Sequence, residues 1–384
     1  MTSLLTPDYA RNMNIIGHSD MGGHPKNPKF VKHISQPKGT WSQHVQTHGD
    51  IMLVNNMCNM LEIEEMAGRN YYSGSVGMKM DVDNVGVPFS AGIRVYDIKD
   101  RANPREIGFL EVPGLGVHRM YWDGGDWIYF SALPSGWSDD IFMIADFSDP
   151  TKPEVVSELA LPGMNLKAGE TPFWDQKYRH ALHHAIVKGD LACGAWRDGG
   201  VTLMDVSDRH NPKILSHDNP CPPFAGSTHN CLPLLNRGLM FVVEESIADN
   251  LEDGIKRNWI YDISVPENPV TIATAPIPDD FDYASKPGQF GPHNLHENRI
   301  EGYQSDTLIF VTYQNAGLRV YDITDPFRPV EAAACVPPAP KEIVDKRPGR
   351  PVVIDSVDAY VDKNGLIYVT DFNAGLYIME MEGL

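Results

Sequence analysis

The sequence predicts an all-β fold, with a single domain built as a β-propeller of six blades, seven blades being the alternative. Three observations predict it: turn residues spread along 384 residues, a repeated strand–turn–strand pattern, and chain ends that complete each other. The 33 Gly and 30 Pro occur throughout the chain, as expected where many short elements are separated by turns. A closed β architecture of this length forms one domain.

Five segments share one pattern: an apolar strand ending in Asp, a polar turn, a Pro and a second β-rich run. The Asp can accept hydrogen bonds from turn amides, and Pro fixes φ where the next strand begins. The spacing is seven residues in Asp97 to Pro104, Asp146 to Pro153, Asp205 to Pro212, Asp262 to Pro269 and Asp322 to Pro329. Successive Pro are 49, 59, 57 and 60 residues apart, a period typical of propeller blades.

The two chain ends supply a sixth copy of the pattern. "NAGLYIMEMEGL" at residues 373–384 repeats "NAGLRVYDITDP", with Glu380 in the Asp position, and stops before its Pro. The missing half is "NPKFVKHIS", with Pro28 in the Pro role, so an N-terminal strand would complete this blade and close the ring. The predicted domain spans 1–384, with an N-terminal arm at 1–26. The blades are predicted at residues 41–113, 114–162, 178–220, 226–279, 290–338, and 352–384 plus 27–37.

Each repeat also carries a polar segment upstream of a second β-rich run. When these trailing runs are aligned, one residue of each upstream segment falls in register. Equivalent positions on successive propeller blades surround the central axis, so these side chains are expected to form a ring. The six residues are His44, His118, His184, His229, His293 and Asp358.

Five imidazoles and one carboxylate in a ring predict a divalent metal site. Neutral nitrogen donors suit Fe, Mn, Zn or Ni, and the absence of thiolates favours an open catalytic site over a structural zinc site. Adjacent strand residues face opposite sides; the alignment selects His184 for the ring, and a bulge would select His183 instead. A proton-relay cluster and repeat-derived packing are the alternatives to a metal. The carboxylates expected to orient the imidazoles are Glu244, Glu245 and Glu297.

Four residues near the ring are predicted to take part in catalysis. His296 and Glu297 belong to "GPHNLHEN" and would move a proton. Arg119 follows a ring histidine, and Arg197 precedes a blade strand in "GAWRDGG"; either would hold an anionic substrate.

Composition excludes several classes of partner. The net charge of −19 argues against nucleic acid or an anionic membrane surface as a partner. Five Cys without a CxxC pair predict reduced thiols in a cytoplasm. The N-terminus resembles no signal peptide, and no run of 18 apolar residues predicts a membrane span.

The strands "GIRVYDIKDRANP", "GVTLMDVSDRHNP" and "GLRVYDITDPFRP" resemble the LVIVD repeats of bacterial propeller proteins. Longer stretches, including "NIIGHSDMGG", "GLGVHRMYW" and "FGPHNLHENR", are similar to one largely uncharacterised subgroup of that family. The resemblance implies the propeller fold and specifies no reaction. Relatives carry a further repeat after "GHSDMGG", which implies seven blades in those proteins and six here.

These observations together predict a cytoplasmic, metal-dependent enzyme that acts on a small polar metabolite. Lyase, hydrolase and isomerase reactions all fit such a site, and an oxygenase reaction fits if the metal is iron. The alternative is a non-catalytic propeller that binds a protein or a small ligand.

Overall fold

The computed structural model describes residues 5–20, 31–63, 66, 71–344 and 350–384. The all-β prediction is confirmed. Within the described residues the helical elements are 3-10 turns of three residues, at Met60–Glu62, Val76–Met78, Leu166–Ala168, Leu235–Arg237 and Tyr283–Ser285. No helix in this part of the chain has the length and apolar character needed to cross a membrane.

The chain divides into two compact units. The first unit comprises residues 31–221, and the second comprises residues 222–384 together with the N-terminal residues 1–30. The strands are β1 (Tyr9–Arg11), β2 (Met13–Ser19), β3 (Thr40–Trp41), β4 (Val45–His48), β5 (Ile51–Cys58), β6 (Gly92–Asp97), β7 (Arg105–Glu111), β8 (Val117–Tyr121), β9 (Trp127–Ala132), β10 (Ile141–Asp146), β11 (Glu154–Leu159), β12 (His180–Lys188), β13 (Leu191–Arg197), β14 (Val201–Asp205), β15 (Lys213–Asp218), β16 (Thr228–Leu234), β17 (Leu239–Glu244), β18 (Asn258–Asp262), β19 (Val270–Thr274), β20 (Leu308–Thr312), β21 (Leu318–Asp322), β22 (Val330–Val336), β23 (Ser356–Val361), β24 (Leu366–Asp371) and β25 (Gly375–Met381).

Each unit contains antiparallel meanders of consecutive strands. In the first unit they are β3–β7, β8–β11 and β12–β15. In the second unit they are β16–β19, β20–β22 and β23–β25, and the last two are extended by β1 and β2 respectively. Each strand is hydrogen-bonded to its neighbour in sequence, except that β3 pairs with β5 and not with β4, and this order is the one expected of propeller blades.

The repeated turn has the same structure in all five copies. In each, the Oδ1 atom of the Asp accepts a hydrogen bond of 2.8 to 2.9 Å from the amide two residues later. Such bonds stabilise the carboxylate and lower the pKa of Asp97 and Asp262. A β-bulge precedes each Asp, and the Pro of each copy directly precedes the outer strand. The sequence repeat therefore corresponds to one repeated structural unit.

The strand that completes the C-terminal sheet differs from the predicted one. β2 pairs with β25, with Asn14 opposite Glu380, so the prediction that an N-terminal strand closes this sheet is confirmed. Residues 27–37 were predicted to supply this strand, and that assignment was wrong. Residues 31–37 contain no strand, and Pro28 lies outside the described residues. β2 is selected because its apolar residues alternate; Met13 and Ile15 enter a core shared with Tyr377 and Val369.

The N-terminal arm predicted at residues 1–26 also contains β1. This strand pairs with the outer side of β22, with Tyr9 opposite Val336. The edge of this second sheet is thereby covered as well.

A buried ion pair organises part of the first unit. Nε and Nη2 of Arg179 each lie 2.9 Å from one oxygen of Asp139, and Nη1 donates to the Tyr71 carbonyl at 3.0 Å. The same Asp139 carboxylate accepts the Val76 amide at 2.9 Å. Arg179 thus fastens the segment around residues 71–76 to the loop before β10. Burial, reinforced by the neighbouring charge of Asp139, raises the pKa of Asp140 to about 7.

Candidate metal centre

Three side chains of the second unit converge on one point. The nitrogen and oxygen atoms that His229, Glu245 and His293 offer as ligands all lie within 4.8 Å of one another. His229 Nε2 is 3.3 Å from Glu245 Oε2, and His293 Nε2 is 3.5 Å from Glu245 Oε1. The exposed fraction of the side chain is 2% for His229, 10% for Glu245 and 13% for His293.

A β-bulge brings His229 to this point. Thr228 pairs with Glu244 and Asn230 pairs with Val243, so His229 is the extra residue between two paired positions. Bulges of this kind redirect a side chain out of the regular alternation. The Glu245 amide donates to the Ser227 carbonyl at 2.8 Å, which holds the end of β17 beside the start of β16.

His293 belongs to "GPHNLHEN", a segment without regular strand structure. Its amide donates to the Thr312 carbonyl, and the Thr312 amide donates to the Asn294 carbonyl, both at 2.9 Å. Leu295 continues the contact as an isolated bridge to Val311. The segment therefore runs alongside β20 as an irregular inner strand, and His293 takes the place that His229 has beside β17.

The hydrogen bonds of His293 fix its proton on Nδ1. This atom lies 2.5 Å from the Val357 carbonyl oxygen, which can only accept, so Nδ1 carries the hydrogen. The Asn294 carboxamide donates to the same carbonyl at 2.7 Å. In the neutral ring Nε2 then has a lone pair directed at Glu245. A backbone carbonyl in this role orients many metal-binding histidines.

The spacing of the three groups fits a bound cation. With bonds of about 2.1 Å, two ligands lie roughly 3.0 Å apart at a right angle and roughly 3.4 Å apart at a tetrahedral angle. The observed 3.3 and 3.5 Å, which run to different oxygens of Glu245, are close to the tetrahedral separation and exceed the roughly 2.7 to 3.2 Å preferred by N–H···O hydrogen bonds. A lone pair facing a carboxylate is repulsive unless a proton or a cation lies between them. Two imidazoles and one carboxylate suit Zn²⁺ or Fe²⁺.

The adjacent carboxylate, Glu244, has a different role. Its oxygens accept the Trp259 indole N–H at 2.8 Å and the Arg257 amide at 2.7 Å. Burial raises the pKa of Glu244 to about 7, and these two hydrogen bonds oppose the rise. Glu244 therefore ties β17 to β18, whereas Glu245 faces the two histidines.

We expect Asn294→Ala to weaken metal binding about 10- to 100-fold, because groups that orient a ligand typically contribute this much. The Asn294 carboxamide contacts both His293 Nδ1, at 2.9 Å, and the carbonyl that holds it. Isothermal titration with Zn²⁺ measures the effect. Asn236→Ala is the control, since the Asn236 carboxamide bonds Asp306 in an exposed position. Equal affinities in the two variants would contradict the role assigned to Asn294.

Strand pairing corrects the predicted register of the ring. The fifth residue of each following strand pairs with Arg119, His184, Asn230 or Asp358, or donates its backbone amide to the carbonyl of His44 or Asn294. His118, His229 and His293 lie one residue earlier. The predicted set therefore mixed two adjacent positions. The earlier position is held by Gln43, His118, His183, His229, His293 and Val357.

Four histidines of the first unit form two pairs. The rings of His118 and His183 are 4.7 Å apart, and those of His44 and His184 are 5.7 Å apart. Gln43 Nε2 lies 2.7 Å from His118 Nδ1 and also 3.2 Å from the His118 carbonyl, which identifies it as the donor to the ring. In the neutral ring the His118 proton is then on Nε2, unlike that of His293.

The remaining predicted residues lie in varied surroundings. His296 Nε2 bonds the Tyr303 carbonyl at 2.7 Å and His296 Nδ1 accepts the Val361 amide at 3.2 Å, so the ring is a structural link and its catalytic role is not supported. Glu297 lies 3.5 Å from Arg299 of the same loop. Asp358 Oδ1 accepts the amide of the next residue at 2.9 Å, and Asp358 does not belong to the three-ligand group.

Both predicted arginines belong to the first unit and are buried. Arg119 pairs with Ser131 in the hairpin β8–β9. Arg197 ends β13 with a φ of 50°, and its charge lowers the pKa of Asp140 against the effect of burial.

Glu245 is the ligand candidate that the sequence prediction assigned only a supporting role. The available signal in the sequence was its position directly after "LMFVVE", the β-rich run that follows the His229 segment. Gln43 was missed because the alignment selected its neighbour His44. His183, the alternative to His184 if a bulge intervened, takes the earlier position because a bulge lies between His180 and His184, and local sequence does not specify where a bulge falls.

Comparison with solved structures identifies the fold. The periplasmic gluconolactonase of Pseudomonas aeruginosa superposes with a TM-score of 0.54 at 10% sequence identity, covering 96% of this chain and 96% of that chain. The computationally designed Ika8 protein gives 0.42 at 10% identity, covering 88% and 83%. A hypothetical selenium-binding protein of Sulfolobus tokodaii gives 0.39 at 13% identity, covering 75% and 80%. No protein-family model and no curated protein sequence matches the chain.

The protein is a β-propeller. The first of these superpositions spans nearly the whole chain, and the successive meanders of both units agree with it. At this level of identity the likeness defines the fold alone.

Proposed function

We propose that the protein is a metal-dependent enzyme whose divalent ion is held by His229, Glu245 and His293. The observation that carries the proposal is the convergence of His229 Nε2 and His293 Nε2 on the Glu245 carboxylate, with His293 Nδ1 bonded to the Val357 carbonyl. When bound, the ion would act as a Lewis acid toward a small polar metabolite. Glu245 would neutralise part of the charge of the ion. The low exposure of the three side chains keeps the centre largely free of bulk water.

Several reaction types are compatible with this centre. Two histidines and a glutamate hold zinc in some hydrolases, and two histidines and a carboxylate hold iron in oxygenases. Lyase and isomerase reactions need the same polarisation of a substrate oxygen. Hydrolysis is the first reaction to test, because a gluconolactonase shares the fold.

The decisive measurement is metal binding by the purified protein. Metal is removed with a chelator, and the protein is titrated calorimetrically with Zn²⁺, Mn²⁺, Ni²⁺ and, without oxygen, Fe²⁺. We expect about one ion per chain and a dissociation constant in the micromolar range or below. Elemental analysis after gel filtration checks the stoichiometry. Failure of all four ions to bind would refute the proposal.

Membership of the LVIVD-repeat family also stays a proposal. The turn hydrogen bonds and the bulge that recur in five copies support it. We further propose a cytoplasmic protein with a small-molecule substrate and no nucleic-acid or membrane partner. All five cysteines are buried free thiols, and the net charge is −19, which supports these assignments.

A further inference from the structure

Both histidines of the candidate centre are followed directly by an asparagine. The sequence reads "THNC" at residues 228–231 and "PHNL" at residues 292–295, so Asn230 follows His229 and Asn294 follows His293. The residues that follow His44, His118 and His184 are Val, Arg and Ala. Within the six aligned segments, the His–Asn pair therefore coincides with the two imidazoles that face Glu245.

The side chains of these two asparagines are hydrogen-bonded to each other. Asn230 Nδ2 donates to Asn294 Oδ1 at 3.1 Å, and both residues are buried. The strand with His229 pairs with β17, whereas the segment with His293 runs beside β20. The bond therefore joins two blades, one residue along the chain from each of the two histidines.

The far side of Asn294 determines how its carboxamide is oriented. Nδ2 donates at 2.7 Å to the Val357 carbonyl, which also accepts the hydrogen on His293 Nδ1. Because a carbonyl can only accept, Nδ2 must face Val357 and Oδ1 must face Asn230. A chain of hydrogen bonds thus runs from Asn230 through Asn294 to the carbonyl that fixes the proton of His293.

The carboxamide of Asn230 has one good polar contact and one unfavourable one. Its Oδ1 is buried, and no group of the described residues donates to it. A buried acceptor without a donor is destabilising, and it calls for a specific explanation in a native protein. An apolar side chain of similar volume would avoid this cost, so packing alone does not account for Asn230. Its favourable polar contact is the bond to Asn294.

We propose that Asn230 is a positioning residue of the metal centre that acts through Asn294. By donating to Asn294 Oδ1, it holds the carboxamide against the Val357 carbonyl and so keeps His293 at a fixed separation from His229. Both asparagines are uncharged, so their effect on a bound cation is geometric. The inference rests on the proposed function, because it takes the centre to be a metal site.

A double-mutant cycle of Zn²⁺ affinity tests the proposal. Asn230→Ala, Asn294→Ala and the double variant are each titrated calorimetrically with Zn²⁺. We expect Asn230→Ala to weaken binding about tenfold, at the lower end of the effect typical of groups that orient a ligand. Residues of one hydrogen-bond network have non-additive effects. The double variant should therefore bind Zn²⁺ no more weakly than Asn294→Ala alone.

Two further variants make the cycle specific. Asn258→Ala is the matched control, because Asn258 is also a buried asparagine of the second unit whose Oδ1 lacks a donor among the described residues. Asn258 lies on β18, and this variant should keep the Zn²⁺ affinity of the wild type. Asn230→Leu retains the volume of the side chain and removes the donor. It should weaken Zn²⁺ binding as Asn230→Ala does, and it serves as the test variant if Asn230→Ala fails to fold.

The ring nitrogens of His293 provide a measurement that needs no metal. In metal-free protein labelled with ¹⁵N-histidine, their NMR signals are assigned by their loss in His293→Ala. Asn230→Ala and Asn294→Ala should both shift these signals, whereas Asn258→Ala should leave them unchanged. A packing role of Asn230 that does not reach His293 predicts no shift.

The outcomes separate this inference from the proposed function. Wild-type Zn²⁺ affinity in Asn230→Ala would overturn the role of Asn230, and the bond to Asn294 would then only join two blades. A loss in the double variant equal to the product of the two single losses would also overturn it. Failure of Zn²⁺ to bind the wild type overturns the metal centre itself. In that case the His293 signals test the positioning role alone, and unchanged signals in Asn230→Ala would contradict it.

Discussion

Replacing His229 by Ala is expected to lower Zn²⁺ affinity at least about 100-fold, more than is typical for residues that merely orient a ligand. His293→Ala should have an effect of similar size, because each variant removes one of three donors. Glu245→Gln keeps the shape of the side chain and loses its charge, so it should weaken binding as well. Calorimetric titration of each variant measures the change.

The matched control is His210→Ala, which removes an exposed imidazole that belongs to no ligand group. The alternative interpretation of the centre is packing of two imidazoles whose rings are 4.5 Å apart. In that case the His229 and His293 variants would melt at lower temperature and show the same heats of metal titration as the wild type. This result would favour a non-catalytic propeller.

Arg179→Met is expected to lower the free energy of unfolding by about 3 to 5 kcal/mol, the cost of leaving a buried charge uncompensated. Arg179 and Asp139 are almost completely inaccessible to solvent, and the pair has two bonds of 2.9 Å. Arg105→Met, which breaks an exposed pair with Asp97, should cost less than about 1 kcal/mol. Urea denaturation followed by tryptophan fluorescence measures both.

The decrease in the free energy of unfolding caused by Arg179→Met should become larger as pH rises. Burial already holds the pKa of Asp140 near 7, above the roughly 3.9 of an unfolded chain. The folded state therefore binds more protons between these values, and the contribution of this group to stability falls as pH rises through 7. Removing Arg179 raises this pKa further, so the variant should be least stable at pH 8. Adding Asp139→Asn and Asp140→Asn should recover part of the loss; no recovery would attribute the effect to packing.

The local parts of the fold were predictable from sequence. The spacing from Asp97 to Pro104 specifies a turn because its hydrogen bonds join residues two positions apart. The choice of β2 over residues 27–37 was not predictable, since it depends on which segment fits a core around Tyr377.

The candidate site was predictable only in part. His229 and His293 follow from the repeat, and their partner Glu245 lies in the segment already expected to supply supporting carboxylates. His44, His184 and Asp358 lie one residue later in their segments than His118, His229 and His293. A bulge inserts a residue where two strands pair, and the position of that pairing is a tertiary property.

Pairing β2 with β25 also has a consequence for biosynthesis. His18 and the Ala374 carbonyl it contacts are 356 residues apart, which at ordinary translation speeds corresponds to roughly 20 to 70 s on the ribosome. During this interval the apolar side chains of Met13 and Ile15 have been made and their partners have not. The nascent chain therefore exposes an unpaired strand with apolar side chains for most of its synthesis. Exposed apolar segments of this kind are typical binding sites for chaperones.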